Sequence, residues 1–381
     1  MRRTLFTEEQ EDFRASVRGF LEREAAPQAE SWEAAGMVDR TFWRLAAEQG
    51  LVAFAAPEEL GGAGLRDFRF NAVLDEEVVA TGSVGDGFSL TNDIVVPYFT
   101  ELASAEQQRR WLPRIAAGDA VAAIAMSEPG AGSDLRGIAT TATWRGDDDR
   151  YALSGSKTFV TSGVQADVVI VAAKIVRPGV EGLGLFLVDA EQEGFTRGRK
   201  LEKVGRRAQD TAELFLDEVA VGPEDLLGQE GRGLSHLMRN LPQERLSIAV
   251  TAVASAERAL RLTLEYARSR NAFGRPIGSF QANRFALADL TTKVRAARAY
   301  IDGCILAHVS GELDAAEAAG AKCMSTELEF ETIDRCVQLH GGYGYMEEYP
   351  IARMWRDARV QRIYGGTSEI MLEIVGRSLG L

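Results

Sequence analysis

A carboxylate and a guanidinium stand side by side at Glu244 and Arg245, within the stretch LPQERLSIAV. The stretch predicts a helix that begins at residue 243, directly after Pro242. On that helix, Glu244 shares one face with uncharged side chains: Ile248, Thr251, Ala252 and Ser255. A carboxyl group in such a pocket has a raised pKa and can take up a proton near neutral pH. A carboxylate at a helix start can instead stabilise the helix dipole, and the residues alone leave both roles open.

Four glycine-rich stretches join the predicted elements: AMSEPGAGSDL (125–135), KTFVTSG (157–163), RSRNAFGRPIGSFQ (268–281) and QLHGGYGYMEEYP (338–350). In the first stretch, backbone N–H groups and the hydroxyls of Ser127 and Ser133 suit a polar ring edge or a phosphate. In the third, the guanidinium groups of Arg268, Arg270 and Arg275 suit phosphates. Taken singly, each stretch is more often structural: a tight β connection, a strand end, a solvated loop or a helix C-cap.

The elements around these stretches predict an α+β chain with several domains. Residues 1–120 favour an N-terminal helical domain, in which Thr7 and Gln10 can form a capping box. Residues 121–231 contain short β-branched or alternating runs between turns, which is typical of an antiparallel β-barrel or sandwich, and we expect the barrel. Residues 232–381 predict a C-terminal helical bundle with helices over 243–270, 279–310, 314–340 and 366–379.

The composition excludes several classes of protein. The net charge of −13 disfavours binding to nucleic acid or to an anionic membrane. No apolar run reaches the roughly 18 residues of a membrane span, so we expect none. The first residues lack the pattern of a signal or transit peptide. Three scattered cysteines without a C-x-x-C motif indicate reduced thiols, and we therefore expect a cytoplasmic protein.

Common catalytic and cofactor motifs are absent from the sequence. There is no G-x-G-x-x-G after a strand, no phosphate-binding G-x-x-x-x-G-K-[ST], no H-E-x-x-H and no G-x-S-x-G. His236, His308 and His340 lie too far apart for a local metal site, and we predict no metal.

The order of the glycine-rich stretches carries more information than any one of them. SEPGAGSD, KTFVTSGVQADV, RNAFGRPIGSFQ, QLHGGYGYMEEYP and IYGGTSEIM together resemble the acyl-CoA dehydrogenase family. Members of this family are FAD enzymes that desaturate acyl-CoA thioesters between Cα and Cβ. The resemblance covers essentially all 381 residues. It implies the same order of helical domain, β-barrel and helical bundle as the one predicted above.

The resemblance also implies residues that contact the flavin ring and the thioester. Met126 and Ser127 would hold the ring of FAD, and Ser133 would lie beside the thioester arm of CoA. Phe159 and Thr161 would flank the isoalloxazine, although many members have tryptophan where Phe159 stands.

The other half of FAD would be bound from a neighbouring subunit. The residues that the resemblance assigns to its pyrophosphate and adenosine are Arg270, Phe273, Gln281, Gln338, Gly341 and Gly342. Thr367 and Glu369 would add FAD contacts at the N-terminus of the last helix, where free N–H groups favour anions.

The sequence departs from most of the family at the base. Many members read Tyr-Glu-Gly-Thr near the C-terminus, and that glutamate removes the proton, whereas this chain reads YGGT over residues 364–367. The long-chain and isovaleryl branches place their glutamate in an ERL stretch of the bundle, which LPQERL resembles. The resemblance therefore implies Glu244 as the catalytic base and Arg245 as a CoA contact. Gly365 and Gly366 would contact the substrate through their backbone, with the Gly365 N–H bound to the thioester oxygen.

The expected function is α,β-desaturation of an acyl-CoA, with proton abstraction by Glu244 and hydride transfer to flavin N5. The resemblance implies FAD as cofactor, a homotetramer and an electron-transferring flavoprotein as electron acceptor. Two alternatives remain open: a flavin oxidase or monooxygenase on the same fold, and a non-catalytic homologue that binds DNA or protein. The ERL and YGGT pairing favours long or branched acyl groups.

Overall fold

A computed structural model describes residues 3–82 and 87–381 of the chain. Its N-terminal part is helical, and Thr7 and Gln10 form the predicted capping box at the first helix. The helices are α1 Glu8–Phe20, α2 Ala29–Ala35, α3 Arg40–Glu48, α4 Phe68–Thr81, α5 Gly87–Ser89, α6 Val96–Leu102 and α7 Ala105–Ala116. They enclose an aromatic core in which Phe20 stacks on Phe42, and Trp32 and Phe88 contact the same ring.

The central part is one sheet of eight strands within the described residues. The strands are β1 Ala122–Ala125, β2 Thr141–Arg145, β3 Arg150–Thr161, β4 Val168–Val176, β5 Leu183–Asp189, β6 Phe195–Lys200, β7 Thr211–Val221 and β8 Leu226–Leu227. They pair in the order β6, β7, β3, β2, β4, β5, β8, and β1 pairs with β4.

This pairing corrects the expectation of an antiparallel barrel. The two ends of the order, β6 and β8, do not pair with each other, so the described sheet is open. It is also mixed, because β1 and β2 both pair with β4 in parallel. Alternation along a strand gives its buried face and leaves its partner and direction undefined, which is why the sequence did not reveal the open sheet. Near β5, the next helix begins: Gly233 packs against the backbone of Leu183 and Gly184.

The C-terminal part is a bundle of long helices. These are α8 Gly233–Ser269, α9 Gln281–Val309, α10 Ala315–His340, α11 Pro350–Ala358 and α12 Ser368–Ser378. Val250 of α8, Ile301 of α9 and Ile333 of α10 meet in one buried core. The sequence analysis did not predict α11.

The predicted start of α8 at residue 243 is wrong. The helix begins at Gly233 and runs for 37 residues, with Pro242 in its interior. Proline is most common in the first turn of a helix, and this preference suggested a start that the structure does not have. Glu244 lies 11 positions beyond Gly233, well past the first turn in which a carboxylate stabilises the helix dipole. The dipole role for Glu244 therefore has no basis in the geometry.

A buried carboxylate connects α4 with the N-terminal segment and with the C-terminal bundle. Glu76 accepts hydrogen bonds from Arg3 at 2.7 Å and from Arg298 of α9 at 2.9 Å, and it lies 2.9 Å from Arg14 of α1. Burial acts to raise the pKa of Glu76, but the neighbouring guanidinium groups more than offset it and hold the pKa below its usual value.

Along the described residues, the helices are all too short or too polar to cross a membrane.

We expect Glu76→Gln to lower the free energy of unfolding by about 2–3 kcal/mol, because it leaves buried guanidinium groups without their shared anion. The loss stays at the lower end of the range for broken buried pairs, since Arg3 keeps Asp302 and Arg298 keeps Glu257. Glu11→Gln is the matched control: Glu11 also pairs with Arg14, but its side chain is 55% exposed, so the expected loss is below about 1 kcal/mol. Urea unfolding measures both variants. Equal losses would show that the buried cluster stabilises no more than an exposed pair.

Candidate active site

Glu244 lies in the middle of α8 and is 9% exposed. Burial raises the pKa of its carboxyl group to about 7, and the positive charges of Arg245 and Lys322 limit the rise. The apolar surroundings predicted from the helical stripe are present, since Ile248 is buried one turn away. A carboxyl group with a pKa near 7 is half ionised at neutral pH, and it can therefore both accept and release a proton.

The glycine pair of the YGGT stretch faces this carboxyl group. Gly365 has a φ of +62°, and a Cβ built on it would lie 2.5 Å from Cδ1 of Ile248 and 3.5 Å from Oε1 of Glu244. A side chain at position 365 would therefore enter the space beside the Glu244 carboxyl group. Two stretches that are more than a hundred residues apart in sequence thus meet at one point.

Two cations hold the backbone of this glycine pair. Lys322 of α10 donates from Nζ to the Gly366 carbonyl at 2.7 Å, and Arg245 donates from Nε to the Gly365 carbonyl at 3.5 Å. Arg245 is buried and makes this contact with the glycine loop, and its role as a CoA contact stays a prediction. The Gly365 N–H donates no hydrogen bond to any group in residues 3–82 and 87–381. The loop thus has fixed carbonyls and an available donor.

Sequence reasoning missed Lys322. Its side chain is buried, and burial lowers its pKa to about 8. The available signal was a lysine inside AAGAKCMST, a stretch of small, uncharged residues on a helix. A lysine in such a run is buried only when it has a partner, and here the partner is a carbonyl from a distant loop.

The turn after β1 is fastened to β3. Thr158 donates its backbone N–H to the Ser127 carbonyl at 2.9 Å, and Lys157 donates from Nζ to the Met126 carbonyl at 3.2 Å. Lys157 also forms a buried ion pair of 2.7 Å with Glu128. Met126 and Ser127 therefore have a defined backbone position beside β3.

Phe159 stands out from this strand toward solvent. The pairing of β3 with β7 shifts register between Lys157 and Val160, so Phe159 lies in a bulge. Its φ is +57°, which is unusual for an aromatic residue, and its side chain is 70% exposed. Thr161 ends the same strand, and Ser133 lies exposed on the turn that follows β1. The structure thus places the residues expected around a flavin on two adjoining segments.

The residues expected at the other half of FAD form a second group. Arg270 follows α8 and lies over the ring of Tyr343, with 5.5 Å between Cζ and the ring centroid. This contact brings the loop after α8 to the end of α10, where Gln338, Gly341 and Gly342 are exposed. Phe273 and Gln281 are exposed on the loop and at the start of α9.

The two groups are separate in one chain. Among the residues that the structure describes, no hydrogen bond, ion pair or ring contact joins the second group to Met126, Ser127, Phe159 or Thr161. Thr367 caps α12 by accepting from the Ile370 N–H, and Glu369 is exposed in the first turn of that helix.

Sequence and structure comparisons identify relatives along the whole chain. The N-terminal, middle and C-terminal domains of acyl-CoA dehydrogenase match residues 7–119, 123–219 and 231–380. The mitochondrial long-chain specific acyl-CoA dehydrogenase of Rattus norvegicus is 45% identical over 99% of this chain and 88% of its own length. The chain belongs to the acyl-CoA dehydrogenase family. It is a flavoprotein oxidoreductase with FAD as its cofactor.

Solved structures agree with this assignment. The acyl-CoA dehydrogenase of Geobacillus kaustophilus is 44% identical, with a TM-score of 0.95 over 99% of both chains. A second, from Bacillus anthracis, was solved in complex with FAD; it is 31% identical, with a TM-score of 0.91 over 98% of this chain and 67% of that one. The residues present here fit such a cofactor, because the exposed ring of Phe159 offers a flat surface beside a fixed backbone turn.

A small cavity of about 90 Å³ lies farther along α8 from Glu244. Its wall includes Thr251, Ser255 and Arg258 of α8, with Asp75 of α4 and Glu329 of α10. Glu329 is 1% exposed, and burial raises the pKa of its carboxyl group to about 8. Its Oε1 accepts from Gln361 at 2.8 Å, while its Oε2 has no hydrogen-bond partner among the described residues.

Glu329 predicts a pH dependence of stability. Because its folded-state pKa lies above the ordinary value of 4.5, the folded chain holds an extra proton, and stability falls by up to about 1.4 kcal/mol per pH unit as pH rises from 4.5 to about 8. Glu329→Gln removes this loss. We expect its urea-unfolding midpoint to rise relative to that of the wild type as the pH increases from about 5 to about 8. Glu331→Gln, an exposed change on the same helix, should follow the wild type. If the difference between the two midpoints stays constant with pH, Glu329 is ionised in the folded chain.

Proposed function

We propose that this chain is an FAD-dependent acyl-CoA dehydrogenase that desaturates an acyl-CoA thioester between Cα and Cβ, with Glu244 as the base. The observation that carries the proposal is the buried carboxyl group of Glu244, which faces the glycine pair at Gly365 and has a pKa of about 7. Among the described residues, Oε1 of Glu244 is the only carboxyl oxygen within 4 Å of a Cβ built at Gly365.

Each group near Glu244 has a defined task in this reaction. The α-hydrogen of a thioester is weakly acidic, so its removal requires a positioned base and stabilisation of the enolate oxygen. The Gly365 N–H supplies a donor for that oxygen. Lys322 and Arg245 keep the donor in place because they bind the carbonyls of Gly366 and Gly365. When bound, FAD supplies the acceptor for the β-hydride at N5.

The absence of a side chain at Gly365 is part of the same arrangement. A Cβ there would force Cδ1 of Ile248 to shift, and a φ of +62° is one that residues with a side chain rarely adopt, so this position favours glycine. The backbone donor is retained, and the proton acceptor comes from α8 instead. We propose that Ser133, Arg245 and Gly366 also line the path of the thioester. We also propose that reduced protein passes its electrons to an electron-transferring flavoprotein, and anaerobic reoxidation by that protein, against slow reoxidation by O₂, tests this acceptor.

We propose a homotetramer in which a neighbouring subunit completes each FAD site. The two groups of FAD residues are separate in one chain, and large apolar side chains near the second group are exposed, including Phe273, Phe285 and Tyr345. Sedimentation of the FAD-loaded protein should give a tetramer.

Arg270→Ala should weaken FAD retention by about 1.5–3 kcal/mol, because it removes a charged phosphate contact. Arg295→Ala makes the same charge change at an exposed position of α9 and should retain FAD. A monomer with full FAD content would contradict the shared site.

Glu244→Gln tests the base. The variant should fold, keep FAD and bind acyl-CoA, but its rate of flavin reduction should fall by at least about 10²–10⁴-fold. The wild-type rate should rise with pH and level off above about 7, as Glu244 becomes ionised. Stopped-flow flavin bleaching under anaerobic conditions measures both. Wild-type rates in the variant with every acyl-CoA would exclude Glu244 as the base.

Restoring a glutamate at position 365 sharpens this test. In the Glu244→Gln background, Gly365→Glu should recover part of the lost rate, and recovery should increase when Ile248→Ala removes the nearest atom, Cδ1 of Ile248. Recovery stays partial because a carboxylate at a residue with φ of +62° is strained and poorly aimed. Ile248→Ala with Glu244→Gln alone is the control. If rescue fails, the base assignment stands, and the geometry inferred for residue 365 is wrong.

A further inference from the structure

One face of α8 connects the proposed base to a buried arginine. Glu244, Ile248, Thr251, Ser255 and Arg258 follow each other at spacings of three and four residues, so they lie along a single stripe of the helix. The last three line the cavity described above. Fourteen residues separate Glu244 from Arg258, which is about 21 Å along a helix. Within the proposed function, an acyl group that begins beside Glu244 and follows this stripe must be long to reach Arg258.

The cavity wall is polar for a site that takes a hydrocarbon chain. Glu329 presents an unpartnered Oε2 and is fully buried, and Asp75 is buried as well. Burial raises the pKa of both carboxyl groups. Arg206 and Asp357 add one charge of each sign to the wall. Among the described residues, none of these carboxyl groups forms a hydrogen bond or ion pair with Arg258.

Arg258 has no anionic partner among residues 3–82 and 87–381. It makes no hydrogen bond or ion pair there, although most of its side chain is buried. Burial, together with the positive charges of Arg261 and Arg353, lowers its pKa to about 10. A buried guanidinium is favourable only with an acceptor, and a carboxylate can accept two parallel hydrogen bonds from it.

We propose that the far end of a long acyl chain enters this cavity, that the chain ends in a carboxylate, and that Arg258 binds this carboxylate. The substrate class is then the CoA thioester of a long dicarboxylic acid, with the thioester at Glu244 and the free carboxylate at Arg258. This inference rests on the proposed function and adds the identity of the acyl group. Arg258 is a specificity residue in this assignment, far from the reacting carbons.

A structural role for Arg258 makes a different prediction. Its guanidinium packs against Gly82 at the C-terminal end of α4, where a helix dipole attracts a cation. A residue that only stabilises this helix end would change the stability of the protein and leave the choice between acyl groups unaltered. The ratio of rates between two substrates of equal length separates the two roles.

The experiment compares hexadecanedioyl-CoA, palmitoyl-CoA and ω-hydroxypalmitoyl-CoA as reductants of the FAD-loaded protein. The wild type should show a kcat/KM for the dicarboxylic substrate at least about tenfold above that for palmitoyl-CoA, since a charge-assisted pair forms only with the carboxylate. In Arg258→Met, which keeps the length of the side chain, this ratio should fall at least about tenfold. Arg261→Met removes a charge from an exposed neighbour that bonds the Ala80 carbonyl, and it should leave the ratio unchanged.

Each result supports or overturns the assignment. An unchanged ratio in Arg258→Met overturns it, as does equal use of the hydroxylated and dicarboxylic chains by the wild type. If Arg258→Met does not fold, Arg258→Lys keeps the charge without the paired donors and should give an intermediate ratio; a wild-type ratio there overturns the assignment. Reduction by palmitoyl-CoA but not by the dicarboxylic substrate overturns this inference alone. If no acyl-CoA reduces the flavin, the proposed function fails as well.

Discussion

The site depends on a carboxyl group on the buried face of a long helix. This group, Glu244, faces the backbone of Gly365. Burial of Glu244 raises its pKa, and Gly365 leaves the adjoining space empty. The proposed reaction needs both features: an exposed Glu244 would be too weak a base, and a side chain at 365 would be strained at a φ of +62° and would enter the space beside Glu244. The helical stripe and the glycine loop must therefore meet with little tolerance, and the packing of α8 against α10 provides that precision.

Buried lysines fix both backbone segments of the candidate site. Lys157 binds the Met126 carbonyl beside the exposed Phe159, and Lys322 binds the Gly366 carbonyl beside Glu244. A lysine that reaches a carbonyl from a neighbouring element restrains a loop that has no regular hydrogen bonding of its own. The irregular turns that glycine makes possible are in this way held at defined positions by regular helices and strands.

Local sequence patterns predicted much of this fold. The features that depend on long-range contacts could not be predicted in this way. The stripe from Glu244 to Ser255 follows from helical periodicity, which neighbours along the chain determine. Pro242 led to a wrong prediction of where α8 begins. Proline prefers the first turn of a helix, but this preference does not prohibit an interior position. Lys322, the open sheet and the polar cavity were missed for another reason. Each depends on which elements, far apart in sequence, pack against each other. A single sequence without its relatives contains no direct record of these contacts.

The flavin contact expected at Phe159 would link the cofactor to the stability of the fold. An aromatic residue with a φ of +57° in a bulge is a strained conformation, on the order of 1–3 kcal/mol, and its exposed ring offers no apolar burial in return. A flat ligand that covers the ring supplies that burial only in the folded state. The folding equilibrium is then linked to the concentration of free cofactor, rising by RT ln(1 + [L]/Kd). Thermal resistance of such a chain is therefore a joint property of its sequence and of the supply of FAD around it.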